Sequence, residues 1–220
     1  TLVALGWTHI RGDQLDRRKE QVFVEADLVA ALVRLNPLIA EDPSRVEPIV
    51  RALRTVNLSV QDDGLVEANR AMSRWLRGLE HVKFSDQHQH VPITLIDFED
   101  LSNNSFVVAD EVTFGSPAHK ARFDIVLFVN GIPLVVGECK TVGMTASWLK
   151  AATDIAEYYQ PGFPAFFVPN VFSFGTEGKE LGVGPVQAPV DAWDLWGPTQ
   201  EFPRLAHVLE SVRDLLSPRT

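Results

Sequence analysis

Three ionisable residues in one stretch of the chain have types and spacing suited to a metal ion beside a phosphate group. Asp124 opens one apolar run, and Glu138 and Lys140 close the next. Two carboxylates held close together repel each other unless a cation lies between them, and hard oxygen ligands with one open side suit Mg²⁺ or Mn²⁺. The lysine could then orient a water molecule or neutralise charge that develops on the phosphate. A strand that ends in Glu-x-Lys beside an aspartate is also common without a metal, so both interpretations stay open here.

The two apolar runs predict a β-hairpin that brings these residues together. Asn130-Gly131 separates residues 124–129 from residues 133–138, and both turn residues tolerate the positive φ angles of a type I′ turn. The aspartate and the glutamate lie about equally far from the turn, so pairing places them side by side. Because side chains alternate along a strand, the glutamate and the lysine share one face, and the cysteine between them points into the opposite layer.

Length and composition indicate a packed globular protein. The 220 residues could form one large domain or two small ones, and 45% hydrophobic with 9% aromatic residues suits a buried core. The chain has no apolar run of ~20 residues and no signal peptide, which argues against a membrane protein. A lone cysteine, Cys139, excludes an intrachain disulfide and fits the cytoplasm. The net charge of −9 argues against a uniformly basic DNA-coating surface, and the start at Thr1 suggests a fragment.

Periodicity predicts helices before and after a set of strands. Ser44 with Glu47 three residues later forms a candidate capping box for a helix through Val56. The other predicted helices cover residues 23–35, 65–79, 145–159 and 205–216. The predicted strands cover residues 88–97, 106–114, 124–129, 133–138, 166–168, 171–174 and 181–184, and residues 185–203 are expected to be irregular.

Two further kinds of site find little support in the sequence. His88 and His90 fall on one side of a predicted strand. We favour a solvated strand face over a metal pair, because no Cys or further His follows at ligand spacing. No Gly-x-x-x-x-Gly-Lys-Ser/Thr loop occurs anywhere in the chain, so these residues give no reason to expect ATP binding.

The Asp…Glu-x-Lys pattern is that of the PD-(D/E)xK nucleases, and the chain resembles one family among them. From about residue 28 to residue 182 it is similar to the N-terminal region of the restriction (R) subunit of type I restriction-modification enzymes. The resemblance rests on Leu35-Asn36-Pro37, on Asn69-Arg70, on Ile96-Asp97-Phe98 with Asn103-Asn104-Ser-Phe106, and above all on residues 123–140. It implies an α/β fold with a central mixed β-sheet flanked by helices, a restriction-endonuclease-like core.

The resemblance also implies roles for individual residues. Asp124 and Glu138 match the family's acidic metal ligands, and Lys140 matches its catalytic lysine. The backbone carbonyl of Cys139 would be a further ligand. Glu25 falls where related nucleases often place an additional helical glutamate, although a solvent-facing helix charge is the interpretation we favour.

Other positions match the family less completely. The family has a Gln-x-x-x-Tyr motif on the helix after the lysine, and Tyr158 matches its tyrosine, but Asp154 stands where glutamine is expected. A carboxylate repels phosphate, so this departure weakens the case for the usual DNA contact. Phe123 replaces the common proline before the aspartate, a change we regard as harmless. Lys120 and Arg122 could contact a phosphate backbone or pair with neighbouring acids.

The expected function is a Mg²⁺-dependent endodeoxyribonuclease domain, with Mn²⁺ as a possible substitute, acting on double-stranded DNA in the cytoplasm. A motor domain outside this chain would use ATP to translocate DNA, and methyltransferase and specificity subunits would be partners. We expect an N-terminal helical part over residues 1–85, the nuclease core over 86–184, and a loop with a last helix over 185–220. The alternatives are a degenerate nuclease fold for DNA binding or subunit docking, and a phosphodiesterase acting on RNA or nucleotides.

Overall fold

The computed structural model of the chain describes residues 1–84, 89–141, 147–197 and 204–218. Its strands are β1 (Thr8–Arg11), β2 (His81–Val82), β3 (Val91–Pro92), β4 (Phe106–Gly115), β5 (Lys120–Val129), β6 (Ile132–Cys139), β7 (Phe172–Thr176), β8 (Leu181–Gly184) and β9 (Asp194–Leu195). Within the described residues, seven of them form one sheet in the order β1-β4-β5-β6-β7-β8-β9, and β2 pairs with β3. The pairs β1–β4 and β6–β7 are parallel and the others in the large sheet are antiparallel. The sheet is therefore mixed, as predicted.

Helices cover the sheet and complete an α/β fold. The α-helices are α1 (Glu25–Leu35), α2 (Pro37–Glu41), α3 (Val46–Leu58), α4 (Val60–Leu76), α5 (Trp148–Thr153), α6 (Gln160–Gly162), α7 (Pro164–Phe167) and α8 (Leu205–Leu216). A π-helical segment, Asp154–Tyr159, continues α5 into α6. No helix in the described part of the chain is long and apolar enough to cross a membrane.

The central elements run in the order β4, β5, β6, α5 and β7. Three antiparallel strands are followed by a helix, which returns the chain to a strand parallel to β6. A Cβ at Gly175 would meet backbone atoms of Trp148 and Ala152 at 2.9 Å, so α5 lies closely against β7. Gly175 pairs with Glu138 in β6. The helix therefore covers the sheet beside the acidic end of the hairpin, as the strand-to-helix order predicted.

The β5–β6 hairpin has the two-residue turn that Asn130-Gly131 predicts. Val129 pairs with Ile132, and the φ angles of the turn residues are 51° and 76°, both positive as a type I′ turn requires. The turn is buried, because the first turn of α1 packs on it and the Val24 N–H donates to the Gly131 carbonyl at 2.9 Å.

A β-bulge sets which residues of the hairpin share a face. Phe128 pairs with Pro133 but Leu127 pairs with Val135, so β6 carries one extra residue at this point. A shift of one residue moves every following side chain to the other face of the sheet. Without the bulge, the aspartate and the glutamate of the predicted site would point to opposite faces. With it, they lie side by side as predicted, although counting residues to the turn did not reveal this irregularity.

Residues 166–168 were wrongly predicted as a strand. Phe166 and Phe167 belong to α7, which starts at Pro164, a residue well suited to the first position of a helix. Both phenylalanines are fully buried, and their rings lie 4.6 and 5.7 Å from that of Phe123. A short apolar run does not distinguish a buried strand from a buried helix, and here the helix forms.

Several predicted boundaries also change. Asp42 rather than Ser44 is the N-cap residue after α2. It precedes a 3₁₀ turn, and its carboxylate accepts the Ser44 N–H at 3.1 Å. Of residues 89–97, only Val91–Pro92 forms a strand, and the apolar residues that follow are buried without joining the large sheet. The sequence did not predict β1, nor β9 within the expected irregular region. The helix predicted over residues 205–216 is confirmed, and the domain boundaries at 85 and 184 stay a prediction.

Gly137 leaves space for an aromatic ring, which supports a prediction on stability. A Cβ at this position would lie 2.1 Å from the Phe174 ring, so we expect Gly137→Ala to lower the free energy of unfolding by about 1–3 kcal/mol through overpacking. Urea denaturation of the 220-residue chain measures this change. Gly162→Ala is a matched control, since a Cβ there meets nothing within 4 Å. Equal stabilities of the two variants would contradict the close contact.

Candidate active site

The three predicted site residues meet at the end of the β5–β6 hairpin that lies away from its turn. Ile125 pairs with Gly137, and continuing that register by one residue places Asp124 opposite Glu138. The Asp124 carboxylate accepts the backbone N–H of Cys139 through Oδ2 at 2.9 Å. This bond ties the aspartate to the neighbouring strand and directs its carboxylate towards the Glu-Cys-Lys segment.

Glu138 is the most deeply buried acid of this cluster. The residue is 4% exposed, and its Oε2 atom is buried without a hydrogen-bond partner among the described residues. Burial raises the pKa of the carboxyl, and the charge of Asp124 raises it further, against the opposing effect of the bond from Lys140. An unpartnered buried carboxylate oxygen is costly, and a metal ion would relieve that cost.

Lys140 lies between two carboxylates. Its Nζ atom is 2.5 Å from Glu138 Oε1 and 2.7 Å from Asp154 Oδ2. Burial alone would lower the pKa of the ammonium, but the hydrogen bonds to Asp154 and Glu138 outweigh that effect and raise it. The lysine is therefore charged, and its position is defined by two anions.

Asp154 joins the cluster from the first residue of the π-helical segment. Its second oxygen, Oδ1, lies 2.5 Å from the Lys150 ammonium, one turn earlier. Burial would raise the pKa of this carboxyl, but the bonds from Lys140 and Lys150 lower it. The residue that departs from the family motif thus contacts the candidate catalytic lysine directly. The sequence contains the signal for the Lys150 pair, an (i, i+4) spacing of opposite charges.

The π-helical segment changes which tyrosine faces the site. It closes i→i+5 hydrogen bonds, so Tyr159 follows Asp154 on one side of the helix. The Tyr159 ring packs edge-to-face on Phe123 with centroids 5.2 Å apart, and burial together with the charge of Glu138 raises its pKa to about 12. Tyr158 is 61% exposed, and its ring centroid lies 5.8 Å from the Lys150 ammonium. The match to the family motif directed the prediction to Tyr158, and the sequence analysis did not single out Tyr159.

The structure places the remaining candidates outside the cluster. Glu25 begins α1, which packs on the turn end of the hairpin, and its carboxylate pairs with Arg54 at 2.6 Å. The site lies at the opposite end of strands that rise about 3.3 Å per residue. Arg122 pairs with Glu111 at 2.9 Å, one of the two interpretations offered by the sequence. Lys120 is exposed.

The histidine pair cannot be placed, because its first member, at position 88, lies outside the described residues. Its second member, His90, is exposed. The suggestion of a metal pair at these two positions therefore stays a prediction.

The donor set at the hairpin end fits a hard divalent cation. Asp124 and Glu138 offer two carboxylates, one of which has a buried oxygen with no partner in the residues described. The Cys139 carbonyl belongs to the residue between Glu138 and the lysine. The described part of the chain has no group of three or more His, Cys, Asp or Glu side chains that could hold a metal ion. Mg²⁺ commonly binds through one or two carboxylates, with waters and phosphate oxygens as its other ligands. Two carboxylates are therefore sufficient for such a site.

By its fold, the chain is a restriction-endonuclease-like α/β domain with an acidic pair and a lysine at the end of its central hairpin. The sequence model of the family described as the type I restriction enzyme R protein N terminus matches residues 1–189. The chain therefore belongs to that family.

Two curated relatives carry names of the same kind. The chain is 28% identical over 207 residues to the type I restriction enzyme HindI endonuclease subunit of Haemophilus influenzae, a match that covers 89% of this chain and 19% of the relative. It is 34% identical over 80 residues to the putative type I restriction enzyme MjaVIIP endonuclease subunit of Methanocaldococcus jannaschii, covering 36% of this chain and 7% of the relative. The chain thus spans about a fifth or less of the length of these relatives.

Several residues that carry the family resemblance hold the fold together. The Asn36 side chain donates to the carbonyls of Leu32 and Thr94, both at 2.9 Å. Asn69 donates to the carbonyls of Val168 and Asn170, both at 2.8 Å. These amides satisfy backbone groups between separate elements, so a motif in the sequence is not by itself evidence of a catalytic role.

Proposed function

We propose that this chain is the nuclease domain of a type I restriction enzyme R subunit and hydrolyses phosphodiester bonds of double-stranded DNA with Mg²⁺. The observation that carries the proposal is the buried Glu138 carboxylate beside Asp124 and Lys140, with one oxygen that has no partner in the described part of the chain. A buried acid of this kind destabilises the fold at a strand end without a function, whereas a metal site makes use of it. Mn²⁺ is expected to replace Mg²⁺.

Each residue of the cluster would have its own role in the reaction. Asp124, Glu138 and the Cys139 carbonyl would hold the cation. When bound, the cation would polarise the scissile phosphate and lower the pKa of a bound water. Lys140 keeps its positive charge beside the carboxylates and would stabilise the negative charge that develops on the phosphate. The reaction needs no nucleophilic side chain.

Sequence recognition is proposed to come from elsewhere in the assembly. A site that addresses phosphates carries no direct information on base sequence, and a net charge of −9 gives this domain little general attraction for DNA. Specificity and methyltransferase subunits would supply recognition, and an ATP-driven motor in the same full-length subunit would supply translocation.

Metal binding supports a direct test of the proposal. We expect Mn²⁺ to raise the melting temperature of the 220-residue chain by roughly 5–10 °C at a concentration about 100 times Kd, since a ligand that binds only the folded state stabilises it. Differential scanning calorimetry of the wild type and of Glu138→Gln measures the shift, which should be lost in the variant.

Glu157→Gln is the matched control, because Glu157 is an exposed acid of the π-helical segment. It should keep the full shift. An unchanged melting temperature of the wild type at millimolar Mn²⁺, with DNA binding by the assembled enzyme intact, would favour the degenerate docking module instead.

A further inference from the structure

Two carboxylates contact the Lys140 ammonium, and only one of them belongs to a proposed metal ligand. Glu138 is a proposed metal ligand, so a bound cation would share the charge of its carboxylate and weaken its hold on the ammonium. Asp154 reaches the same Nζ atom from the helix at 2.7 Å, and its other partner is Lys150 rather than a proposed metal ligand. The aspartate can therefore hold the lysine whether or not the metal is bound.

The two oxygens of Asp154 have separate partners. Oδ2 contacts Lys140 and Oδ1 lies 2.5 Å from Lys150. Charge-assisted hydrogen bonds are stronger and more directional than neutral ones. The side chain of Asp154 is 18% exposed, so water competes only weakly for these bonds. The chain of contacts runs from Lys150 through Asp154 and Lys140 to Glu138, and it alternates in charge throughout.

Lys150 also removes the objection that a carboxylate at this position repels DNA. One ammonium against one carboxylate gives the pair no net charge, which is the charge of the glutamine amide expected at position 154. The lysine side chain is 55% exposed, so it faces solvent on the side of the aspartate away from Lys140. The acid that departs from the motif is thus compensated one helical turn earlier.

We propose that Asp154, compensated by Lys150, is the positioning residue that keeps Lys140 directed at the scissile phosphate. The inference rests on the proposed nuclease function. It assigns to an Asp–Lys pair the place that a neutral amide takes in the family motif. Asp154 touches neither metal nor substrate in this proposal and acts only through the lysine.

The test uses DNA cleavage by the full-length subunit assembled with its partner subunits. Asp154→Ala should lower kcat about 10- to 100-fold, with KM for plasmid DNA within about 2-fold of the wild type. Each factor of ten corresponds to about 1.4 kcal/mol of lost transition-state stabilisation. Asp154→Gln should restore at least half of the wild-type kcat, because its amide oxygen can accept from Lys140. When Asp154→Ala is added to Lys140→Ala, kcat should fall by less than about a further 2-fold.

Two readouts are independent of cleavage. The Mn²⁺-induced rise in melting temperature should be unchanged in Asp154→Ala, since the residue is not a metal ligand. Lys150→Ala should weaken DNA binding in the absence of metal, because the Asp154 carboxylate then lacks its neighbouring positive charge. Adding Asp154→Gln should restore most of the DNA binding, because it removes that carboxylate.

The outcomes separate the two proposals. Absence of metal-dependent cleavage by the wild-type assembly would overturn the nuclease function itself. Cleavage that is lost in Lys140→Ala but unchanged in Asp154→Ala would overturn only the positioning role. The same conclusion would follow if Asp154→Ala lowered kcat equally in the wild type and in the Lys140→Ala background. If Asp154→Ala does not fold, Asp154→Ser is expected to show the same loss of kcat, because its hydroxyl is too short to reach Lys140, and wild-type activity there would again contradict the inference.

Discussion

Asp124→Asn, Glu138→Gln and Lys140→Ala are each expected to lower metal-dependent DNA cleavage by at least about 100-fold. The two acids would provide the charge that holds the cation, and removal of one preorganised charged or hydrogen-bonding group commonly costs two to three orders of magnitude in rate. The Glu138 side chain is nearly fully buried, so no surface group can replace it. Plasmid cleavage by the full-length subunit, assembled with its partner subunits, measures the loss.

The pattern of effects across the three variants is as informative as the size of the loss in cleavage. Both acid variants should also lose Mn²⁺ binding, whereas Lys140→Ala should keep it, since the ammonium is not a ligand. Glu157→Gln should cleave at the wild-type rate. Retained cleavage in any of the three site variants would remove that residue from the mechanism, and retained cleavage in all of them would leave the docking module as the better account.

Asn130→Ala is expected to lower the free energy of unfolding by about 3 kcal/mol or more. The Asn130 side chain is fully buried and donates to the Leu95 carbonyl and to Asn104 Oδ1, both at 2.8 Å. Its own oxygen accepts the Ser105 N–H at 2.8 Å and Arg34 at 3.1 Å. Alanine would take this partner from the Leu95 carbonyl and the Ser105 N–H, at about 1–3 kcal/mol for each buried group left unsatisfied. Alanine is also less tolerant of the φ of 51°.

Gln187→Ala is a control for the loss of an exposed polar side chain at a positive φ. Gln187 also has a positive φ, 57°, but its side chain is exposed, so the substitution should change stability by about 0.5 kcal/mol or less. Urea denaturation of both variants measures the difference. A loss for Asn130→Ala no larger than that of the control would show that the buried amide contributes little.

The sequence determined the chemistry of the hairpin and most of its geometry. The Asn-Gly turn predicts the hairpin because few residues adopt positive φ at two successive positions, and the observed angles confirm it. The strict alternation of side chains then predicts that Glu138 and Lys140 share a face, and the 2.5 Å contact between them agrees. These are local rules, so a single sequence is sufficient to apply them.

The same local rules were insufficient at the bulge and at the π-helical segment. A bulge in β6 shifts the pairing by one residue and brings Asp124 beside Glu138. A π-helical turn shifts the helix face by one residue and brings Tyr159, not Tyr158, to the site. Both irregularities add one residue to a regular repeat, and both kinds are frequent at or next to functional sites. Sequence periodicity contains no record of them.

The Asn130 side chain and Asp154 mark the boundary between what the sequence determined and what the tertiary structure decided. The sequence identified Asn130 as a turn residue, but the four partners of its side chain lie 25 to 96 positions away in the chain. It also identified Asp154 as a departure from a family motif, but not that this acid holds the candidate catalytic lysine. Residue types and local spacing fix which chemistry is available. Only the long-range packing of helix on strand decides which of those groups meet, because contacts distant in the chain leave no periodic signal in it.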